Sequence, residues 1–275
     1  MKSVENVPNF YQKDDVVEVI KEDEGVVVLP SVLAWEKLEW THEYFLKKPK
    51  QGFFLWIKKS LKKQLNTLIE ISSKNVFQDL NNLIVIEKGA KVKLFSSCRS
   101  IKKSLGAKHF AKTNILIKEN VELDFLQYNA WEKQDKFNTN YEYFLCKNAK
   151  ADISVSNKGN GAEIVTKENI YLKEKGANAE IKIKMVAKNG GIFNSESYIY
   201  GEDDVRGHLD CSGIILDKKS RIKSIPGIIC NSGKAVLTHE ASIGKISEEK
   251  LMYLRMRGLS LKKAEELIIK SFLNS

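Results

Sequence analysis

The sequence predicts a mainly β protein, a parallel β-helix in which short strands stack coil upon coil, with helices at both ends. Three observations predict it: a strand, turn, strand unit recurs from residue 83 onward, its strands alternate apolar and polar residues, and no helical periodicity interrupts it. The lack of intervening helices argues against a βαβ sheet. A β-sandwich also fits, because the repeat spacing is irregular, but the near-constant unit favours stacked coils.

The repeating unit is a short, largely β-branched run, a polar turn and a second alternating run. Copies of the unit begin at Leu83, Ile115, Phe144, Ile170, Ile214 and Ile228. Alternate apolar residues, as in Val121, Leu123 and Phe125, indicate strands with one buried face. The turns contain residues that tolerate a positive φ, which we expect at Gly89, Asn120, Asn148, Gly176 and Gly233.

Helical patterns flank the strands. SVLAWEKLEWTHEYF, from Ser31, has apolar residues close to helical spacing and predicts an amphipathic helix. Near the other end, Ser247 is the expected N-cap of EEKLMYLRMR and Gly258 its stop, and Ser260 is the expected N-cap of a last helix, LKKAEELIIKSFL. We therefore divide the chain into an N-terminal segment 1–80, a β-helix core 81–243 and a C-terminal helical region 244–275.

Composition narrows the class of function. The chain has 275 residues and a net charge of +10. Its lysines are scattered, however, and they lack the interleaved aromatic and arginine side chains that stack on bases and bind phosphates in nucleic-acid-binding proteins. It has no apolar run of membrane-spanning length, and its N-terminus does not look like a secretory signal. We expect a cytoplasmic protein without a membrane or nucleic-acid role.

The four cysteines are dispersed, so no CxxC pair predicts a zinc site or a redox dithiol. Cys146 and Cys230 lie in apolar runs and are expected to be packing residues. His42, His109 and His208 match no motif and are expected to be surface or structural. Cys98 and Cys211 remain as candidates.

The segment from Thr238 to Leu273 resembles the C-terminal signature of the SufB/SufD proteins of the SUF iron–sulfur assembly machinery. The matching residues are His239, Glu240 and Ala241 as HEA, Gly244, Lys245 and Ile246, and Tyr253, Arg257, Gly258 and Leu259 within YLxxRGL. Upstream, GHLDCSGIIL from Gly207 is similar to the segment with the core cysteine, SIPGI from Ser224 to a family turn, and YFLKKPKQGFFLWIKK from Tyr44 to the start of short, archaeal-type versions. The likeness spans nearly the whole chain.

The resemblance implies a right-handed parallel β-helix followed by C-terminal helices, in agreement with the repeats. It also implies two partners. A second SufB/SufD-type subunit, identical or paralogous, joins through the β-helix, and a SufC-like ABC ATPase binds the C-terminal helices. By resemblance the ATPase-binding residues are Tyr253, Arg257, Gly258, Leu259 and Phe272.

The resemblance further implies the site. Cys211, His239 and Glu240 stand where the family binds the nascent, transient iron–sulfur cluster, and thiolate with imidazole and carboxylate is a suitable ligand set. Three ligands leave the site incomplete, so we expect a second subunit to complete it. Cys98 stands where the family has a sulfur-relay cysteine that receives sulfur from a donor; Ser97 replaces the family glycine, and Arg99 would favour the thiolate.

The predicted function is a non-catalytic scaffold that builds clusters for apo-protein acceptors. One alternative is a SufD-like partner without the cluster, against which Glu240 argues, because SufD-like members tend to have glycine after the histidine. Another is a β-helix carbohydrate-active enzyme, for which Asp203, Asp204 and Arg206 form the only tight acidic and basic group in the strand region, with the look of a turn. Homodimer or heterodimer, cluster type and sulfur donor stay open.

Overall fold

The computed structural model describes residues 8–274, which form two facing β-sheets. Sheet A has nine strands, β1 (Phe10–Lys13), β2 (Val16–Ile20), β5 (Leu65–Ile71), β7 (Lys91–Ser100), β9 (Glu122–Trp131), β11 (Lys150–Asn160), β13 (Asn178–Lys188), β15 (Arg206–Ile215) and β17 (Val236–Lys245). Sheet B has eight, β3 (Val26–Pro30), β4 (Phe53–Ile57), β6 (Phe77–Ile86), β8 (Lys108–Ile117), β10 (Lys136–Leu145), β12 (Glu163–Leu172), β14 (Ile192–Gly201) and β16 (Arg221–Cys230). The helices are α1 (Ser31–Lys37), α2 (His42–Phe45), α3 (Glu248–Met256) and α4 (Leu261–Asn274).

From β4 onward the chain crosses from one sheet to the other between successive strands, so each coil contributes one strand to each sheet. Within a sheet, consecutive coils pair in parallel, and in-register partners such as Asn129 and Asn157 lie 28 residues apart. The result is a parallel β-solenoid of about seven turns. The β-helix prediction is confirmed, and the sandwich is excluded because the pairing between coils is parallel.

The turns that lead from sheet B back to sheet A also stack. Positive φ occurs at Gly89, Asn120, Asn148 and Gly176, as predicted, but Gly233 is not among the positive-φ residues. Asn148 Nδ2 donates to Asn120 Oδ1 at 3.2 Å. A Cβ atom at Gly176 would lie 2.2 Å from Asn148 Oδ1. The next position in this stack of turn residues is therefore a glycine, because any side chain there would clash with Asn148.

The N-terminal part closes one end of the solenoid, which we call the closed end. β1 and β2 form an antiparallel pair beside β5, and β3 pairs antiparallel with β4. The solenoid thus begins before residue 81, because β4 and β5 already pair in parallel with β6 and β7. Residues 1–7 of the predicted N-terminal segment lie outside the described residues.

The single helix predicted from Ser31 is instead broken. α1 is followed by a 3-10 turn, Glu39–Thr41, and by α2. At Leu38 the backbone is extended, and the hydroxyl of Thr41 donates to the Leu38 carbonyl at 2.8 Å. These elements cover part of the outer face of sheet B, where Phe45 packs with Phe54. Packing against the sheet therefore overrides the helical periodicity.

At the other end, which we call the open end, no strand within residues 8–274 pairs with the outer edge of β16 or β17. The chain folds back instead, and α4 lies on the outer face of sheet A with Ala264 and Ile269 buried. The predicted caps are confirmed: Ser247 Oγ accepts from Lys250 N at 3.2 Å and Ser260 Oγ from Lys263 N at 3.4 Å. The last coil is left uncovered.

Candidate functional site

Cys211 lies inside the solenoid near its open end. It is in β15, fully buried, and its in-register neighbours are Ile183 of β13 and Ala241 of β17. Burial raises the pKa of its thiol to about 11, although hydrogen bonds with Ser224 and Ser197 act in the opposite direction. The thiol is therefore protonated at neutral pH until something at the open end replaces its proton.

His239 and Glu240 lie on β17, the last strand of sheet A. His239 is in register with the buried Leu209 and Glu240 with Asp210, which faces outward. Because in-register residues of a parallel sheet point to the same side, His239 shares the interior face with Cys211 and Glu240 belongs to the outer face. Both are exposed, because β17 has no outer neighbour. Within residues 8–274 no group of three or more His, Cys, Asp or Glu side chains is placed to hold a metal ion.

Cys98 lies in β7, four strands from β15 in sheet A, which is about 19 Å along the solenoid axis. Its side chain is 4% exposed, and burial raises its pKa to about 12. Arg99 does not assist the thiol: strand alternation turns it to the outer face, where it forms an ion pair with Glu70. The expected electrostatic help from Arg99 is therefore absent.

A column of buried polar side chains lies between the two cysteines, and sequence reasoning missed it. Its members, all in the interior, are Thr113, Gln127, Asn129, Thr139, Tyr141, Tyr143, Asn157, Thr166, Glu168, Ser195 and Ser197. Several buried polar atoms in it have no partner among the described residues, namely Gln127 Oε1, Asn157 Nδ2 and Glu168 Oε2. Such atoms are places for buried water or another small polar species.

Glu168 is the only acid with a strongly raised pKa among the described residues. Burial raises its pKa to about 8, against a hydrogen bond from Tyr143 that lowers it. Tyr143 in turn accepts from Gln127 Nε2 at 2.6 Å. The signal for this column was present in the sequence, since Thr139 and Tyr141 occupy interior positions of a strand with period-2 alternation.

A family model described as the SUF system FeS cluster assembly, SufBD core domain, matches residues 69–204 and 201–272, which is most of the chain. This chain belongs to the SufBD family. A SufBD family protein of Archaeoglobus fulgidus is 26% identical over 91% of this chain and 79% of its own length. One of Pyrococcus horikoshii is 28% identical over 80% of this chain, and one of Methanothermobacter thermautotrophicus (strain Delta H) is 23% identical over 81%.

This SufBD chain spans 56% of the Pyrococcus relative and 62% of the Methanothermobacter relative, less than two thirds of either. All three relatives are named iron–sulfur cluster assembly SufBD family proteins. The chain therefore belongs to a family of proteins of iron–sulfur cluster assembly. Within residues 8–274 no helix is long and apolar enough to cross a membrane.

The SufBD residues predicted to bind a partner separate into two groups. Tyr253 is 57% exposed on α3, which has no buried residue, and Arg257 lies over its ring at 5.2 Å. Gly258 is also exposed and ends the helix with φ of 89°, whereas Leu259 is half-buried. Phe272 faces sheet A, with Lys184 Nζ at 5.8 Å from its ring centroid. Tyr253 therefore lies on an exposed surface of α3, whereas Phe272 packs toward sheet A.

Two smaller expectations need correction. SIPGI is not a turn but part of β16, where Pro226 is tolerated because the strand lies at a sheet edge. Cys230 is exposed rather than packed, because β16 is the last strand of its sheet, and Cys146 is half-buried. His109 is structural, as expected: it is fully buried and stacks on Phe137, with ring centroids 5.3 Å apart.

Proposed function

We propose that this SufBD chain is a non-catalytic, cytoplasmic scaffold on which an iron–sulfur cluster is built, working as a pair of subunits with a SufC-like ABC ATPase. The observation that carries the proposal is the position of Cys211 and His239. They share the interior face of the last two strands of sheet A, at the open end of the solenoid.

This placement suits a ligand set that a second subunit completes. Iron that arrives at the open end meets the exposed imidazole of His239 first and the thiol of Cys211 one strand further in. Iron binding displaces the thiol proton, which the raised pKa of Cys211 otherwise retains at neutral pH. Glu240 joins the same iron only if β17 changes its orientation or if the ligand comes from the partner, because it lies on the outer face.

Cys98 retains its proposed role in sulfur transfer, with the polar column as the route toward Cys211. Because the Cys98 thiol is buried, a donor protein does not reach it directly. A small sulfur species therefore has to enter the solenoid. The partnerless polar atoms between the two cysteines are able to hydrogen-bond such a species.

For the ATPase, the supporting observation is the exposed apolar surface of α3. Met252 is 64% exposed, Tyr253 57% and Met256 81%, and a cluster of exposed apolar side chains of this kind is typical of a protein–protein contact surface. A SufD-like partner role is the second candidate. It is favoured by the full burial of Cys211 and by the outward position of Glu240.

Anaerobic reconstitution with iron and sulfide tests the scaffold role. Wild type, Cys211→Ala, His239→Ala and the control Cys230→Ala are followed by visible absorption and Mössbauer spectra. Cys230 is a matched control, because it is an exposed cysteine of the same last coil. We expect the first two variants to lose the cluster signal and the control to retain it.

If Cys211→Ala and His239→Ala both keep the wild-type signal, the assigned site is wrong. A wild-type chain that takes up a cluster only beside another SufBD chain, through that chain's ligands, supports the SufD-like role. Failure to co-purify with an ABC-type ATPase would count against the partner assignment on α3.

A further inference from the structure

The Cys98 thiol lies close to one corner of the solenoid. Hydrogen-bonded backbone closes both sheets, so a species from outside enters the interior either at an end or at a corner between the sheets. Cys98 is two residues before the end of β7, which is about 7 Å along the strand. The corner at the start of β7 is about 23 Å away and the open end about 19 Å, while the closed end is covered. The corner after β7 is therefore the shortest way in.

We call residues 101–107, which connect β7 to β8, the corner loop. It has seven residues, whereas the other five connections from sheet A to sheet B between β5 and β16 have two to five. Residues 101–104 are exposed, but Leu105 is only 4% exposed and packs in the main core. The loop thus has an exposed tip and closes the corner with the side chain of Leu105.

The side chain of Asp135 holds both ends of the corner loop. Asp135 belongs to the corresponding turn of the next coil and is 1% exposed. Its Oδ2 accepts from Ser100 Oγ at 2.6 Å, just before the loop, and its Oδ1 accepts from Ala107 N at 3.0 Å, at the end of the loop. The same Oδ2 accepts from Glu132 N of its own turn at 3.0 Å. One buried carboxylate therefore joins the loop to the following coil.

The tip of the corner loop has few contacts of its own. Within the described part of the chain, Lys102, Lys103 and Ser104 take part in no hydrogen bond or ion pair. Ser104 has a φ of 54°, in the left-handed region that a residue with a side chain rarely adopts. A segment with few hydrogen bonds and little buried surface opens locally at a lower free energy than the whole domain. Opening requires two events, release by Asp135 and withdrawal of Leu105.

The surface around the corner loop is basic. Four exposed lysines occupy this corner on three successive coils, namely Lys74, Lys102, Lys103 and Lys133. Among residues 8–274 none of them has a carboxylate oxygen within 4.0 Å, unlike Lys91, whose Nζ lies 2.9 Å from Glu122. Glu132, at the same corner, accepts from Asn160 instead. Lysines grouped in this way raise the local concentration of small anions.

We propose that the corner loop is the entry site through which a small anionic sulfur species, such as hydrosulfide, reaches Cys98. The proposal rests on the proposed function only in taking Cys98 as the residue that receives sulfur. The four lysines attract the anion to the surface, and the loop opens when Asp135 releases Ser100 and Ala107. When the loop closes, Leu105 separates the thiol from solvent again. The burial of Cys98 is then compatible with delivery from outside.

Chemical modification of Cys98, without iron or sulfide, tests the entry site. A small methanethiosulfonate reagent is applied in a Cys146→Ser and Cys230→Ser background, and peptide mass spectrometry follows Cys98 and Cys211 separately. Asp135→Asn keeps the size of the side chain but removes one acceptor oxygen. It should raise the modification rate of Cys98 about tenfold, as expected for the loss of a hydrogen bond to a charged group, and leave Cys211 unchanged.

Two further variants make the result specific. Leu105→Ala should also raise the rate at Cys98, because it removes the side chain that closes the corner, and it decides the test alone if Asp135→Asn does not fold. Asp217→Asn is the matched control. Its carboxylate also caps a connection from sheet A to sheet B, but through Lys219 and Ser220 of the same turn. It should leave the rate at Cys98 unchanged.

The charge of the reagent tests the lysines. Relative to a free thiol in solution, a reagent with a sulfonate group should modify Cys98 faster than one with an ammonium group at low salt, and high salt should reduce the difference. Lys102→Glu with Lys103→Glu should change the ratio of the two rates about tenfold in favour of the ammonium reagent. The control, Lys62→Glu with Lys63→Glu, lies at the opposite corner between β4 and β5 and should leave the ratio unchanged.

An Asp135→Asn chain in which Cys98 and Cys211 gain reactivity equally has opened as a whole, which overturns the proposal. It is also overturned if neither Asp135→Asn nor Leu105→Ala accelerates the modification of Cys98, and equal relative rates for the two reagents overturn the role of the lysines. Failure of the proposed function is a separate result. If modification depends on the corner loop but Cys98→Ala still assembles a cluster from a sulfur donor, the relay role alone is wrong.

Discussion

The closed end and the open end are built from the same strand unit but differ in what lies beyond the last coil. At the closed end, β1 to β3 and the short helices satisfy the edges, and Phe10 and Phe53 bury their rings 5.2 Å apart. At the open end, most residues of β17 are exposed. A coil is stable when another coil or a cap covers it, so one end supplies stability and the other remains available for binding.

The largest expected difference between the two halves is in their response to pH. His109, in the closed half, has its pKa lowered to about 3 by burial, and Glu168, in the open half, has its pKa raised to about 8. Stability that depends on neutral His109 is present above pH 6.5 and is lost as pH falls toward 3. Stability that depends on protonated Glu168 is present below pH 4.5 and is lost as pH rises through 8.

Glu168→Gln separates the two. Urea unfolding is compared from pH 4 to pH 9. Between about pH 4.5 and pH 8 the wild type should lose up to about 5 kcal/mol relative to the variant, since each pKa unit is worth about 1.4 kcal/mol. The variant should lack this loss and keep the decline of His109 as pH falls below 6.5. An unchanged difference between wild type and variant across this range would place the titrating group elsewhere.

A second comparison uses the same residue type at each end. Ile57 of β4 is fully buried, whereas Ile243 of β17 is 41% exposed. Ile57→Ala should lower the free energy of unfolding by about 2 to 5 kcal/mol, because it leaves a cavity in a covered coil. Ile243→Ala should cost less than about 1 kcal/mol in the unpaired chain. Equal costs in urea unfolding would mean that the last coil is already covered.

The third comparison concerns a carboxylate that caps a turn at each end. Asp14 accepts hydrogen bonds from the backbone and hydroxyl groups of Ser72 and Ser73, which outweigh burial and lower its pKa. Asp217 caps its own turn, at Lys219 and Ser220. Asp14→Ala should cost about 1 to 3 kcal/mol, because it leaves the turn after β5, fifty-eight residues away, without these hydrogen bonds. Asp217→Ala should cost about 1 kcal/mol or less, since it removes only a local cap; the opposite ranking in thermal unfolding would contradict the comparison.

The repeats and the two C-terminal caps could be predicted because each depends on local sequence. Asn120, Asn148 and Gly176 fix the turns through their own backbone preferences, and Ser247 and Ser260 cap helices three residues on. The broken helix after Ser31 could not be predicted, because it depends on packing against a sheet formed by later strands. Gly233 lacks its expected positive φ in the last, uncovered turn.

For the site, the resemblance selected Cys211 and His239, and the strand register brings them to one face. The opposite face of Glu240 could have been inferred from its odd spacing to His239, but only with the strand assigned. The polar column could not be foreseen as a unit, since its members lie about 28 residues apart and meet only when the coils stack.

The unpaired edge of β17 has a consequence for the behaviour of the chain on its own. Backbone groups of this ten-residue strand are exposed together with the apolar side chains of Val236 and Ile243. Exposed strand edges and apolar side chains promote association between chains. A chain whose last coil stays uncovered is therefore expected to aggregate as its concentration rises.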